Sequence, residues 1–347
     1  MTGAGEISKR EKGEGKREKG TCSLLPFALS LFLALPSPGF TQPGSQETQT
    51  TPRFRSSVDV VSVAAVVRDR KGRFVSDLAK EDFKIVEGGE SRKILDFRAE
   101  SDGPVKLALL VDISGSMRVG AKTVDARQVA DHIFAGLRPI DQTAIFTFDT
   151  GLDQVSGFTS DRTRLAKALD SAQKPYGQTS LYDATAKIAR VVASESRVSG
   201  GLPQRAAVVV LTDGIDTKSR LTPDEVAGIA SGIDVPVYIV AVMAKIDDPR
   251  ERQDDDEGVG MPATRLQELA QHTGGELFLA SAPAHASVAA RQILGELRHQ
   301  YVLAFEASTR SGWRPLEVRA KNGLTVRARS GYTAGGDGRT SMNSGER

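Results

Sequence analysis

Three short stretches of the chain carry oxygen-bearing side chains directly beside apolar segments. The stretch DISGS places Asp112, Ser114 and Ser116 at alternate positions after the apolar run VKLALLV. Thr179 lies in GQTSLYDA, just before a segment of helical period, and Asp213 lies in LTDG at the end of another apolar run. Carboxylate and hydroxyl oxygens are hard donors that suit a small divalent cation such as Mg²⁺. The five residues are therefore candidate metal ligands, provided that the fold brings them together.

Apolar strands alternate with helical segments through this part of the chain. The runs predicted to be strands are VKLALLV, TAIFTFD, RAAVVVLTD, PVYIVAV and ELFLA. Between them, apolar residues recur at three- and four-residue steps, and Thr222, Pro223 and Glu225 form a helix-start pattern. This alternation predicts an α/β fold, a doubly wound and mostly parallel sheet over residues 105–298. In such sheets ligands bind at the carboxyl ends of the strands, where we expect the three stretches to meet.

Short β-rich runs flank the α/β segment on both sides. Residues 57–104 hold VDVVSVAAVVRD, FVSD, DFKIVEG and SRKILDFRAE, and residues 299–333 hold YVLAFEAS, WRPLEVRAK and LTVRARSGY. Strands without intervening helices cannot easily extend a parallel sheet. We therefore expect the two segments to be halves of one β-sandwich-like domain, with the α/β domain inserted between them. The polar, Gly-rich tail, residues 334–347, is predicted to be disordered.

Residues 1–39 have the layout of a secretory signal. A polar, charged lead precedes the run SLLPFALSLFLALP, whose two prolines keep it well below the ~20 apolar residues of a membrane-spanning helix. We expect cleavage after Gly39, no stable transmembrane span, and a linker over residues 40–56. A retained anchor or a buried core helix is the alternative. Cys22, the single cysteine, would leave with the signal, so the mature protein would have neither a disulfide nor a thiolate nucleophile.

The charge balance of the chain excludes an electrostatic footprint for nucleic acid. Among 347 residues, 46 Lys and Arg face 44 Asp and Glu, and aromatic and basic residues are not interleaved. The hydrophobic content of 39% is enough for a sizeable core. The histidines share no metal-ligand spacing, so we interpret them as structural or exposed; they are His132, His272, His285 and His299.

Together, the stretches DISGS, GQTSLYDA and LTDG resemble the metal-ion-dependent adhesion site (MIDAS) of the von Willebrand factor type A (VWA) fold. The order of the three stretches and the elements that carry them both match, and the resemblance spans residues 105–298. The flanking runs VVRDRKGRFVSDLAKEDFKIVEGGE, YVLAFEAS and VRARSGY are similar to those of a family of bacterial exported VWA-related proteins. The function of that family is poorly defined, so the resemblance bears mainly on the fold and the site.

The resemblance implies a role for each candidate ligand. Ser114, Ser116 and Thr179 would bind the metal directly or nearly so, and Asp112 and Asp213 directly or through water. The implied metal is Mg²⁺, with Mn²⁺ or Ca²⁺ as alternatives, and its open coordination position would take an Asp or Glu carboxylate from a partner protein. The expected protein is a binding or adhesion module rather than an enzyme. It would be exported to the periplasm, the cell surface or the extracellular medium.

Three other functions compete with this interpretation. The stretch GSMRVGAKT nearly spells a phosphate-binding loop of a nucleotide hydrolase, but Ala121 separates Gly120 from Lys122, which must be adjacent in that motif. Two aspartates around Mg²⁺ could also activate water in a metal-dependent hydrolase, although no general base stands beside them in the sequence. A structural scaffold without metal-dependent binding is the third alternative.

Other acidic residues near the candidate site have two interpretations. Asp183 and Asp216 either support the metal ligands or are solvated turn carboxylates. The charged insertion KIDDPRERQDDDEGVG, residues 245–260, is predicted to be a solvated loop that could also shape the choice of partner.

Overall fold

Strands and helices alternate through the middle of the chain, with strands alone on either side. The computed structural model describes residues 59–99, 103–172, 176–197, 202–244, 261–321, 323–334 and 340–341. Its strands are β1 (Asp59–Arg68), β2 (Phe83–Glu87), β3 (Glu90–Arg92), β4 (Ile94–Arg98), β5 (Val105–Asp112), β6 (Gln142–Phe148), β7 (Leu152–Thr159), β8 (Arg205–Thr212), β9 (Val237–Val242), β10 (Leu277–Ala280), β11 (Gln300–Glu306), β12 (Gly312–Ala320), β13 (Thr325–Ala328), β14 (Gly331–Ala334) and β15 (Thr340–Ser341). Its helices are α1 (Lys122–Gly136), α2 (Arg162–Asp170), α3 (Leu181–Ser196), α4 (Pro223–Gly232), α5 (Met261–His272) and α6 (Pro283–Arg298).

The central sheet has six strands in the order β10-β9-β8-β5-β6-β7. The first five are parallel, as predicted, and they are the five apolar runs of the sequence. The sixth strand, β7, is antiparallel to β6 because a turn of three residues joins the two, which is too short for a crossover. Its sequence, LDQVSGFT, mixes polar and apolar residues and is partly exposed at the sheet edge, so apolar periodicity did not predict it.

Helices cover both faces of this sheet. Leu107 and Leu109 of β5 pack into a core with α1, α2 and α6. Ala108 and Leu110 point to the opposite face and pack with α3, α4 and α5. A strand covered on both faces is apolar at nearly every position, which explains the run VKLALLV, whose one charged residue, Lys106, is only partly buried. The predicted doubly wound α/β fold is thereby confirmed.

The flanking strands form two antiparallel sheets around a separate core. One sheet has the order β13-β1-β11-β4 with β15 beside β1, and the other has the order β14-β12-β2-β3. Each sheet joins strands from before and after the α/β segment: Val63 of β1 lies opposite Leu303 of β11, and Ile85 of β2 opposite Val318 of β12. All four side chains are buried in the shared core. The insertion of the α/β domain between the halves of a sandwich is therefore confirmed.

The sandwich contacts the amino end of the central sheet. Asp234 lies in the loop that enters β9 and accepts a hydrogen bond from the backbone N–H of Ala64 in β1. Arg329, between β13 and β14, is 3% exposed and donates to the carbonyl oxygens of Ser231 in α4 and Ser62 in β1. The carboxyl end of the sheet, which carries the candidate ligands, is therefore the end away from the sandwich.

Several predicted segments lie outside the described residues. These are the signal (1–39), the linker (40–56), the charged insertion (245–260) and most of the tail. The prediction of a disordered tail from residue 334 on needs correction: Ala334 ends β14, and Thr340–Ser341 pairs with the start of β1, where β13 leaves the strand edge open. Among the described residues, no helix is both long and apolar enough to cross a membrane.

Candidate functional site

The first loop of the site begins with the last residue of β5. Asp112 is 2% exposed, and both of its carboxylate oxygens accept hydrogen bonds. Oδ1 accepts from the backbone N–H of Ser114 at 2.8 Å, and Oδ2 accepts from the hydroxyl of Thr212 at 2.6 Å. Because Thr212 ends the neighbouring strand β8, the carboxylate is fixed from both sides.

Burial dominates the charge state of Asp112. It raises the pKa of the carboxyl group to about 6, and the nearby charge of Asp213 acts in the same direction. The hydrogen bonds from Ser114 and Thr212 favour the charged form and oppose that rise only in part. Because these hydrogen bonds offset only part of the cost of burying the charge, a divalent cation would stabilise the ionised carboxylate.

The two serines of the first loop bring their hydroxyls together. Ser114 is fully buried, and its Oγ lies 3.1 Å from the Oγ of Ser116. The chain then forms a 3-10 turn, Gly115–Arg118, anchored by Met117, which is 1% exposed. The alternating spacing of DISGS therefore places these two hydroxyls side by side.

Gly115 lets the second loop approach the first. Its backbone N–H donates to the carbonyl of Gly177 at 2.9 Å, and a Cβ on Gly115 would lie 3.1 Å from that oxygen. Gly177 itself has φ +92, a conformation that favours glycine. Two residues further on, the second loop reaches Thr179, which is 2% exposed.

Hydrogen bonds also tie the second loop to the third loop, which follows β8 and carries Asp213. The backbone N–H of Thr179 donates to the hydroxyl of Thr217 at 2.9 Å. In return, the carbonyl of Thr179 accepts from the backbone N–H groups of Thr217 and Lys218. The stretches carrying Asp112, Thr179 and Asp213 therefore form one hydrogen-bonded cluster of loops at the carboxyl end of the sheet.

Asp213 is held by a cation of the protein itself. Its Oδ2 lies 2.8 Å from Nζ of Lys122 in the first turn of α1, and its Oδ1 accepts from the backbone N–H of Ile215 at 3.2 Å. The side chains of Asp213 and Lys122 are only 2% and 14% exposed. The sequence analysis considered Lys122 only as a phosphate ligand and did not predict this ion pair.

Asp183 and Asp216 bind groups of the loop after β8 and of the start of α3. Asp183 accepts from the N–H groups of Arg220 and Leu221, and Asp216 accepts from the N–H of Leu181 and from the N–H and hydroxyl of Ser219. Their described partners are thus groups other than the candidate ligands. The run GIDTKS, in which polar residues closely follow LTDG, is the sequence feature from which this network could have been predicted.

The donor set fits a hard divalent cation. Within the described part of the chain, no three His, Cys, Asp or Glu side chains are grouped so that they could hold a metal ion. A metal at these loops would therefore need the serine and threonine hydroxyls together with the two carboxylates, which is a donor set suited to Mg²⁺. The ion pair with the Lys122 ammonium indicates that the Asp213 carboxylate already stabilises a positive charge.

A doubly wound sheet with oxygen donors at its carboxyl edge defines an α/β domain of the ligand-binding type. Residues 107–215 match the family model of the von Willebrand factor type A domain. This match covers the strands and loops from β5 to the third loop of the site. Residues 107–215 are therefore similar to a VWA domain, and the predicted resemblance is confirmed.

Solved structures with a similar fold come from bacteria and from a mussel. BatB of Bacteroides thetaiotaomicron is 17% identical, with a TM-score of 0.44 over 55% of this chain and 98% of that chain. A von Willebrand factor type A protein of Catenulispora acidiphila is 12% identical, with a TM-score of 0.44 over 85% and 78%. Proximal thread matrix protein 1 of the mussel byssus, solved with a zinc-occupied MIDAS motif, is 18% identical, with a TM-score of 0.45 over 60% and 50%. No curated protein sequence matches the chain.

Proposed function

We propose that this chain is an exported binding protein that recognises an acidic group of a partner protein through a metal ion. The metal, Mg²⁺ with Mn²⁺ or Ca²⁺ as alternatives, would be held by Asp112, Ser114, Ser116, Thr179 and Asp213. When bound, Mg²⁺ supplies a positive charge with a coordination position that an Asp or Glu carboxylate of the partner can fill.

One observation carries the proposal: the three candidate loops are bound to one another. Asp112 accepts from Thr212, next to Asp213 in the chain, and Gly115 donates to Gly177, two residues before Thr179. A cluster fixed in this way holds its donors in place before a ligand arrives, which lowers the ordering cost of binding.

The hydrogen bonds of the two carboxylates favour binding over catalysis. Both oxygens of Asp112 accept hydrogen bonds, and both oxygens of Asp213 are engaged, by Ile215 and Lys122. Each of these oxygens keeps a second lone pair that a metal ion can take. The sequence places no separate general base beside these residues, so we propose that the protein is not an enzyme.

The proposed export depends on residues 1–39, which lie outside the described residues. Their order of charged lead, apolar run and small residues is typical of a secretory signal. The periplasm, the cell surface and the extracellular medium are all consistent with such a signal.

A metal-free scaffold is the second candidate function, and one observation favours it. The Lys122 ammonium already neutralises Asp213, so the loops can keep their arrangement without a divalent cation. A scaffold of this kind would bind its partner equally well in the presence of a chelator.

Calorimetric titration of the purified chain with Mg²⁺ and Mn²⁺ tests the proposal. We expect saturable binding to the wild type and loss of binding in an Asp112→Ala, Asp213→Ala double variant. Asp153→Asn is the matched control, because Asp153 is an exposed carboxylate at the start of β7, on the same edge of the sheet. Its removal should leave the metal affinity nearly unchanged. Equal heats from the wild type and the double variant, with folding verified by circular dichroism, would favour the scaffold.

A further inference from the structure

The ion pair between Lys122 and Asp213 lies inside the proposed metal site. Nζ of Lys122 is 2.8 Å from Asp213 Oδ2 and 3.5 Å from the carbonyl oxygen of Ser116, so the ammonium contacts two of the loops that carry candidate ligands. An exposed lysine would sample many positions and contribute little. This one is mostly buried, as is its partner.

The backbone before α1 fixes the position of Lys122. Gly120 has φ +65 and turns the chain into the helix, and the hydroxyl of Thr123 donates to the carbonyl of Met117 at 2.8 Å. This bond ties the first turn of α1 to the 3-10 turn that carries Ser116. The lysine is therefore built into the site through the same loop as the proposed ligands.

Two cations cannot share the Asp213 carboxylate without strong repulsion. Oδ1 is held by the backbone of Ile215, and Oδ2 is the oxygen that faces Lys122. A divalent ion that binds Asp213, directly or through water, would come within a few ångströms of the ammonium in a largely desolvated site, where repulsion between like charges is weakly screened. Either the lysine leaves the carboxylate or the metal binds weakly.

From this geometry we infer that Lys122 is an internal cation that competes with the metal for Asp213 and thereby sets the metal affinity of the site. The inference rests on the proposed function, because it needs a metal that binds at Asp213. Without metal, the ammonium neutralises Asp213 and keeps the third loop in place. With metal, the flexible stem of the lysine carries its head to solvent, which a strongly hydrated ammonium favours.

Substitution of Lys122 tests the inference by calorimetry, with the metal alone as the probe. Lys122→Met keeps the apolar stem and removes the charge, so we expect its affinity for Mg²⁺ to rise at least about tenfold. Lys122→Arg keeps the charge and should stay within about twofold of the wild type. Lys218→Met is the matched control, because Lys218 is an exposed lysine of the third loop, and its removal should change the affinity far less than Lys122→Met does.

A second measurement uses the wild type, so that it does not depend on the folding of a variant. Acetic anhydride labels free amines, and mass spectrometry of the digested protein reports the labelling of each lysine. We expect Lys122 to be labelled slowly in a chelator and several-fold faster in saturating Mg²⁺, while the labelling of Lys218 stays constant.

The outcomes separate this inference from the proposed function. If the wild type and Lys122→Met bind Mg²⁺ equally well, and Asp112→Ala abolishes binding in both, the competition is wrong and the metal site stands. If neither protein binds metal, both ideas are overturned. If only Lys122→Met binds, both are supported, and the lysine closes the site completely in the wild type.

Discussion

The hydroxyl of Thr212 donates a 2.6 Å hydrogen bond to Asp112 Oδ2, which joins the last residue of β8 to the last residue of β5. The same hydroxyl accepts from the backbone N–H of Gly214 at 3.0 Å, so its single proton is directed at the carboxylate. Thr212 is fully buried, so this bond is shielded from bulk solvent. One side chain thus links the Asp112 carboxylate to the loop that carries Asp213.

Replacement of Thr212 by Val should destabilise the protein. The variant keeps the shape of the side chain but leaves a buried carboxylate without one of its donors, which costs about 1–3 kcal/mol of unfolding free energy. Urea denaturation in a chelator measures this loss. Thr212→Ser keeps the hydroxyl and should recover most of it.

Thr143→Val is the control for that experiment. Thr143 is also fully buried, in β6, but its hydroxyl has no hydrogen-bond partner within the described residues. Its replacement should therefore be neutral or slightly stabilising. A loss at Thr143 as large as that at Thr212 would show that the effect comes from packing and not from the bond to Asp112.

Asp112 should stabilise the metal-free protein more at pH 5 than at pH 7.5. The pKa of Asp112 is raised from an ordinary 3.8 to about 6 in the folded state, so the folded state binds more protons than the unfolded state between these values. Stability from this group therefore grows as the pH falls through 6 and is lost as the pH rises above it. By this linkage we expect a gain of about 1 kcal/mol at pH 5.

Denaturation midpoints at the two pH values, with and without Asp112→Asn, isolate this contribution from that of other groups. The asparagine variant should show a smaller gain at pH 5 than the wild type, by about 1 kcal/mol. Saturating Mg²⁺ should remove the gain in the wild type, because protons and metal would compete for the same carboxylate. An identical pH dependence in wild type and variant would contradict the assignment.

A methyl group on Gly115 should weaken metal binding more than it weakens the fold. Its Cβ would lie 3.1 Å from the carbonyl oxygen of Gly177 and push the first two loops apart. We expect Gly115→Ala to lower the Mg²⁺ affinity about tenfold, since proposed ligands on both loops must converge. Gly228→Ala in α4 is the control, because a Cβ there meets nothing within 4 Å, and it should leave the affinity unchanged and stabilise the helix by about 0.5–1 kcal/mol.

The chain order of strands and helices could be predicted because both faces of the central sheet are covered. Runs such as VKLALLV are apolar at nearly every position for that reason, and residues that end such runs lie at the edge where ligands bind. Asp112 and Asp213 were predicted as candidate ligands by this argument, and Thr179 from its position just before a helical segment. The edge strand β7 was not, because an edge strand with one partner and partial exposure has no uniform apolar pattern.

The contacts of Thr212 and Lys122 could not be predicted, because they depend on register and distance in three dimensions. Val111 lies opposite Leu211 in the parallel pair β5–β8, and this register brings the next residues, Asp112 and Thr212, together. The sequence contains both residues but does not give the register. Lys122 lies 91 positions from Asp213 along the chain, and only the fold brings the two charges to 2.8 Å.

Replacement of Arg329 by Met should destabilise the whole described fold while leaving metal binding intact. Arg329 is buried between the sandwich and the amino end of the central sheet, where its Nε lies 3.3 Å from Oδ1 of Asp234. Its loss leaves a buried carboxylate without its cation, which costs about 3–5 kcal/mol. Asp234→Asn in the same chain removes the orphaned charge, so the double variant should be more stable than Arg329→Met alone. Chemical denaturation of the two single variants and the double variant measures the coupling. The Mg²⁺ affinity of each folded variant should equal that of the wild type, because this ion pair lies at the opposite end of the sheet from Asp112. A loss of affinity in these variants would show that the junction with the sandwich also shapes the metal site.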